Sequence, residues 1–217
     1  MISDRAHERI GKALIAAVFA FFLAINAASI AAKLRMDPKP EFWGVDLFSQ
    51  LLTLAFTGLV VFLTITRMPP RSTAHGLLPR IAAIAGTFAL IVIAYMPEGN
   101  TPLAARLFGT ALILIGTLGS IYCLAALGRS FSIVASARQL VTSGPYSIVR
   151  HPLYFAEGIT TIGIIIMHWS AAAVAVGAVQ FALQFWRMGF EEQVLRKAFP
   201  EYEDYAERVG MIIPNLR

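Results

Sequence analysis

Five stretches of the chain contain no Asp, Glu, Lys or Arg: Ala13–Ala32, Leu47–Thr66, Ile81–Pro97, Leu107–Gly128 and Gly158–Trp186. Charges, prolines and glycines collect in the connections between them. A helix needs about 20 predominantly apolar residues to cross a hydrocarbon core. The first, second and fourth stretches meet that requirement as they stand. The third meets it if Leu77, Leu78 and Pro79 extend it past Arg80, whose apolar stem lets its charged head reach the interface. The fifth is too long for one ordinary span, and His168-Trp169-Ser170 falls near its middle. It reads as a tight helical hairpin, with one helix to about Met167 and a second from about Ala171. The first arm gains length if it begins near Pro152. A single long tilted helix is the alternative.

The pattern predicts an all-α fold, a polytopic transmembrane helix bundle of about six membrane segments. Helices are expected over roughly 13–34, 46–67, 77–96 and 103–127, followed by the hairpin to about Phe190. Residues 1–12 are a short polar start suited to an interfacial helix. The tail over 188–209 is charged and reads as an amphipathic helix. Leu195, Phe199, Tyr202 and Val209 share one broad face, and Pro200 divides the helix into two pieces. Such a tail suits the membrane interface or a cap on the bundle. Two regions follow: 1–127, four helices without a specific motif, and 128–217, a loop, the hairpin and the tail.

Composition supports a membrane setting. Hydrophobic residues make up 57% and charged residues 14%, against roughly 25% charged in soluble domains. The net charge of +5 speaks to orientation and gives no reason to expect nucleic acid. Arg67, Arg71 and Arg80 lie between the second and third helices, and Arg129, Arg138 and Arg150 between the fourth and fifth. The third–fourth connection has Glu98 and only Arg106. The positive-inside tendency therefore places both termini and the Arg150 loop in the cytoplasm, although Lys33, Arg35 and Lys39 run against it. The first segment outruns a usual signal-peptide core and is expected to stay as a membrane helix. The single cysteine, Cys123, can form no intramolecular disulfide and fits a packing role.

Within the helices, Gly109, Gly116 and Gly119, and Ala173 with Gly177, are small residues that permit close approach. Asn26, Gln180 and Gln184 fit hydrogen bonds between helices. Glu157 stands apart, because a carboxylate at the mouth of a membrane helix is costly unless paired. A structural ion pair with Arg150 or His151 and a ligand-facing acid both fit it.

Chemistry concentrates in Gly144-Pro145-Tyr146-Ser147-Ile148-Val149-Arg150-His151-Pro152-Leu153-Tyr154 and in Glu191-Glu192. The two prolines make the first a shaped loop rather than a continuous helix. A basic and an acidic cluster thus flank one hydrophobic hairpin. Leu127–Phe131, Leu140–Tyr146 and Arg150–Tyr154 resemble the core of the isoprenylcysteine carboxyl methyltransferase family, whose superfamily includes membrane phospholipid methyltransferases. The tail agrees in order: Arg187, Glu191-Glu192, Leu195, Phe199-Pro200-Glu201-Tyr202, Tyr205, Arg208-Val209 and Ile213-Pro214. The resemblance covers 127–214, and the first three helices match nothing specific.

The resemblance implies methyl transfer from S-adenosylmethionine, held by the loop, the last two membrane helices and the tail. It implies Tyr146, Arg150, His151, Pro152, Tyr154, Glu191 and Glu192 as cofactor-site residues. No glycine-rich strand-to-helix turn supports a doubly wound nucleotide fold instead. The residue types suit the cofactor. Arg150 and His151 can meet a carboxylate or ribose, and Glu191 or Glu192 can meet an amino group. Tyr146 and Tyr154 offer faces to a sulfonium or an adenine. Arg187 and Glu157 are the candidate catalytic residues. Arg187 would orient a carboxylate acceptor or else anchor the helix end at phosphate headgroups. Glu157 or His151 would serve as base for an amine or thiol acceptor. The acceptor is expected to be lipophilic and to enter from the bilayer, and no metal is assigned. Two rivals remain: a sterol-reductase-like enzyme using NADPH, and a non-enzymatic transporter or partner subunit.

Overall fold

The computed structural model describes residues 2–94, 96 and 101–215. Two expectations fall outside these: Glu98 in the third–fourth connection, and the C-terminal residues 216–217 of the tail region. The chain forms two compact units, divided after Arg67.

The first unit is a helical hairpin of α1 (Ile2–Leu34) and α2 (Trp43–Thr66). The polar start does not form a separate interfacial helix; it continues directly into α1, because no proline interrupts it and the single Gly11 is tolerated within a helix. The connection is tied at its base. Trp43 Nε1 donates to the Lys33 carbonyl at 3.0 Å, Lys33 Nζ lies 3.5 Å from Asp46, and Lys39 stands over the Trp43 ring. Leu14, Phe21, Phe48 and Phe62 point outward, exposed. This is the surface a lipid-facing helix presents.

The second unit contains α3 (Leu78–Ala94), α4 (Leu103–Leu127), α5 (Pro152–Met167), α6 (Ala171–Ala198) and α7 (Tyr202–Arg208). The hairpin predicted over 158–186 is present. His168, Trp169 and Ser170 make its turn, and the Ser170 hydroxyl caps α6 by accepting from Ala173 N at 3.1 Å. Of the second unit's helices, α4 and α6 are long and apolar enough to cross a membrane, as are α1 and α2 in the first. The remaining apolar helices, Leu78–Ala89 and Pro152–Met167, are shorter.

α4 and α5 approach closely through glycines. A Cβ on Gly116 would lie 2.6 Å from Thr160 N, and one on Gly163 would lie 2.6 Å from Gly109 O. Gly109 and Gly116 thus act as the small-residue positions their spacing suggested, and Gly163 completes the seam. α3 packs on α6, where Gly86 faces Arg187 and Leu183.

The loop between α4 and α5 is ordered by short elements. It holds 3-10 turns at Gly128–Ser130 and Gly144–Ser147, and a two-residue strand, β2 (Ser136–Ala137). β2 pairs antiparallel with β1 (Ser72–Thr73), which precedes α3. The loop and hairpin are built onto α3 and α4 within one unit. α6 runs past Phe190 to Ala198, so the first piece of the expected tail is its continuation. The second piece is α7, after the break at Pro200. Phe199, Tyr202 and Tyr205 are buried with Ala135, Ala137 and Val194 in a small core outside the bundle.

Candidate active site

The site forms where the loop enters α5. Pro152 is the first residue of that helix, where its missing N–H leaves no bond unmade. The two residues before it are fixed by the chain's end: Arg150 N donates to Gly210 O at 2.8 Å and His151 N to Met211 O at 3.0 Å. Val149 and Gly210 form a parallel bridge. The basic motif is thereby held against α6, which carries Glu191 and Glu192.

These adjacent carboxylates have different surroundings. Glu192 is fully engaged. Its Oε1 accepts from Arg150 Nε at 2.9 Å, lies 2.8 Å from Arg150 Nη2, and meets His151 Nε2 at 3.3 Å. Its Oε2 accepts from Arg196 Nη2 at 3.3 Å. Arg150 Nη1 donates to the carbonyls of Ala206 at 2.7 Å and Val209 at 2.6 Å, where α7 ends. Arg150 is thus a clamp joining the loop before α5 to α6 and the tail. Burying this pair is tolerable because each charge has its complement and further hydrogen bonds.

Glu191 is a quarter exposed. Its Oε1 accepts from the Tyr154 hydroxyl at 2.5 Å, and its Oε2 lies 3.9 Å from His151 Nδ1.

Deeper along α5 and α6, Gln184 Nε2 donates to Glu157 Oε2 at 3.2 Å. The Arg187 guanidinium stands 5.1 Å over the Tyr154 ring and reaches toward the Ile133 carbonyl at 3.5 Å. Its Nε is buried with no hydrogen-bond partner. The stem lies in the notch at Gly86, where a Cβ would be 3.0 Å from Arg187 Cδ.

Tyr146 is buried in the 3-10 turn, and its carbonyl accepts from the Tyr205 hydroxyl at 2.5 Å. Burial raises the Tyr146 and Tyr202 hydroxyls above the ordinary tyrosine range and pushes Tyr205 up to about 12. These hydroxyls stay protonated and neutral through the physiological range.

All nine candidate residues from the sequence fall in this one region of the second unit. Glu157 makes its bond to Gln184 rather than to Arg150 or His151, because those two are already held by Glu192. Several neighbours were not singled out beforehand. Arg196 sat in a charged stretch with nothing to distinguish it, and Gly86 is one small residue in an apolar run. Tyr205 belonged to the tail pattern, but its bond is to a backbone atom, which no side-chain motif records. A cavity of about 390 Å³ opens elsewhere, between Ser72–Pro79 and the Gln193 and Lys197 side of α6, and no motif residue lines it.

The phospholipid methyltransferase family's sequence model matches residues 104–202. The nickel-cobalt-cadmium resistance protein NccN of Alcaligenes xylosoxydans xylosoxydans is 33% identical over 131 residues, covering 58% of this chain and 61% of that protein. Protein-S-isoprenylcysteine O-methyltransferase B of Arabidopsis thaliana is 31% identical over 118 residues, covering 49% of this chain and 58% of that protein. The chain thus spans about three fifths of the length of these curated relatives. A solved structure of the eukaryotic intramembrane Ras methyltransferase ICMT shares the fold, with a TM-score of 0.55 at 18% identity over 99% of this chain and 86% of that one. Over residues 104–202 the chain is thus similar to the phospholipid methyltransferase family, and it shares its fold over nearly its whole length with the intramembrane methyltransferase structure.

Proposed function

We propose that this protein is an S-adenosylmethionine-dependent methyltransferase acting on a lipophilic acceptor at the cytoplasmic face of the membrane. One observation carries the reading: Glu191 Oε2 and the buried Arg187 Nε are left without a close hydrogen-bond partner beside Tyr154 and His151, while the Arg150–Glu192 pair holds the loop, α6 and the tail in place. The donor set fits the cofactor. The part-exposed Glu191 carboxylate, whose Oε2 has no closer contact than His151 Nδ1 at 3.9 Å, suits a cationic donor such as an amino group. The unpartnered Arg187 Nε and the Tyr154 ring suit an anionic group and a sulfonium or flat base.

S-adenosylmethionine, when bound, supplies a methyl group on a positively charged sulfur. The chain's residues then have positioning tasks. Glu191 and His151 would hold the amino group, and Tyr146 and Tyr154 would form aromatic walls. Arg150, Pro152 and Glu192 would fix the loop, α6 and the tail around the site. Packing of the buried tail core would exclude water, which favours displacement by the acceptor over loss of the methyl to solvent. Glu157 and Arg187, deeper in the hairpin, would meet the acceptor arriving from the bilayer. The phospholipid methyltransferase match over residues 104–202 favours this over the NADPH-dependent reductase and over a transporter.

The experiment is calorimetry on purified protein in nanodiscs, followed by transfer of a radiolabelled methyl group to total membrane lipids. Saturable S-adenosylmethionine binding and a labelled lipid product are expected. Protection against thermal unfolding by NADPH alone would replace this reading with the reductase.

A further inference from the structure

The cavity of about 390 Å³ lies between the segment leading into α3 and the C-terminal half of α6. Its polar lining is the Ser72 and Thr73 hydroxyls, His75, the Gln193 amide and Lys197. None of these five side chains has a hydrogen bond or ion pair to another described residue. Among the described residues no Asp or Glu lines the cavity. The carboxylates on this part of α6, Glu191 and Glu192, are engaged by Tyr154, Arg150 and Arg196 instead. Further positive charge stands close by. α3 begins at Leu78, in the cavity wall, and brings the positive end of a helix dipole. Arg71 precedes the lining segment, with its guanidinium 5.3 Å over the Phe199 ring just beyond Lys197.

The rest of the wall is apolar and continues toward the bilayer. Leu77 and Leu78 are 71% and 57% exposed. On α6, Trp186, Phe190, Gln193 and Lys197 fall at i, i+4, i+7 and i+11, one face of the helix. The stripe is about 16 Å long at 1.5 Å per residue. It passes from an ammonium through an amide to two aromatic rings with centroids 5.7 Å apart. α6 is long and apolar enough to cross a membrane, and Lys197 is one residue from its end. The ammonium therefore stands at headgroup level, with Trp186 deeper, toward the acyl chains. A free anion would use only the upper end of this stripe. A molecule with an anionic head and a long apolar chain uses all of it.

We propose that this groove binds an anionic phospholipid from the leaflet on the motif-loop side. Its phosphate meets Lys197 and accepts hydrogen bonds from Ser72, Thr73 and Gln193, with His75 at the rim. One acyl chain lies along Phe190 and Trp186, beside Leu78. The lipid is neither methyl donor nor methyl acceptor. It is a bound lipid that joins the segment before α3 to the end of α6, and its binding does not depend on the methyltransferase reading. Net negative charge on the headgroup is what the groove selects, because a zwitterionic lipid brings its own cation to the same basic side chains.

The test uses the full chain in detergent and three probes: dioleoylphosphatidylglycerol, dioleoylphosphatidylcholine with the same chains, and inorganic phosphate. Lipid retention is read by native mass spectrometry and stabilisation by the unfolding midpoint. Wild type should retain phosphatidylglycerol in preference to phosphatidylcholine, and its midpoint should rise with phosphatidylglycerol but not with inorganic phosphate. Lys197→Glu should weaken phosphatidylglycerol retention about tenfold or more. Gln193→Glu, which leaves Lys197 in place, should act in the same direction. Both side chains are exposed, so the midpoint without lipid should stay as in wild type. Lys12→Glu, the same charge change on α1, should keep the preference. Equal retention of the two lipids by wild type would overturn the proposal. So would a preference that survives in Lys197→Glu, a loss as large in Lys12→Glu, or displacement of phosphatidylglycerol by inorganic phosphate, which would make the groove a simple anion site.

Discussion

Glu191 and Glu192 show how far two identical neighbours diverge once the chain folds. Glu192 is enclosed by Arg150, His151 and Arg196, whereas Glu191 keeps a free edge beside Tyr154. Their variants should separate accordingly. Arg150→Ala leaves the Glu192 charge buried without its main partner and frees the α7 carbonyls. A loss of about 3–5 kcal/mol is expected for such a broken pair, read as a lowered unfolding midpoint in detergent. Glu191→Ala should leave that midpoint nearly unchanged. The sequence marked both residues as candidates, and it could not assign them different roles, because the difference lies in which side of α6 each occupies against the loop.

Tyr205 offers a second test at this scale. Its raised pKa means the folded state holds the proton more tightly than the unfolded chain does. Stability is full below the ordinary tyrosine value of 10 and falls as pH rises toward about 12. Tyr205→Phe should flatten that alkaline loss. It should also cost about 1 kcal/mol at neutral pH, from the lost bond to the Tyr146 carbonyl. An unchanged alkaline profile would contradict this.

Among the elements, the long helices were legible because lipid demands uninterrupted apolar residues, and the α5–α6 turn because His168-Trp169-Ser170 breaks such a run. The extension of α6 to Ala198 was not legible as one helix. Its last turns carry charges that serve the site rather than the bilayer. The β1–β2 pairing was invisible, since two residues per strand leave no alternation to read. Glycine positions decide the helix contacts. Gly116→Ala should sharply lower the yield of folded protein, because its methyl group would press on the α5 backbone at Thr160 and Ala156, which cannot rotate away. Gly86→Ala should be milder. Its neighbour is the flexible Arg187 stem, so the fold should persist while Arg187 shifts from Tyr154. Methyl-transfer activity should fall with little change in the unfolding midpoint.

For the whole molecule, the motifs identified where the chemistry gathers but not what supports it. Residues 127–214 carry the recognisable pattern, yet α3 and α4, which lie before it, pack against that region within the same compact unit. The proposed orientation has its own test. Cys123 is buried, so Ser143→Cys introduces an exposed thiol into the motif loop. An impermeant maleimide should label it in inverted vesicles and not in intact cells; the reverse would place the loop outside. The central claim, that the loop, hairpin and tail enclose S-adenosylmethionine, is tested most directly by calorimetric titration of the cofactor into wild type and Glu191→Ala. Saturable binding is expected in wild type. Loss of one charge-assisted bond worth about 1.5–3 kcal/mol should weaken Glu191→Ala about tenfold or more. No binding to wild type, or equal affinity in the two proteins, would contradict the account.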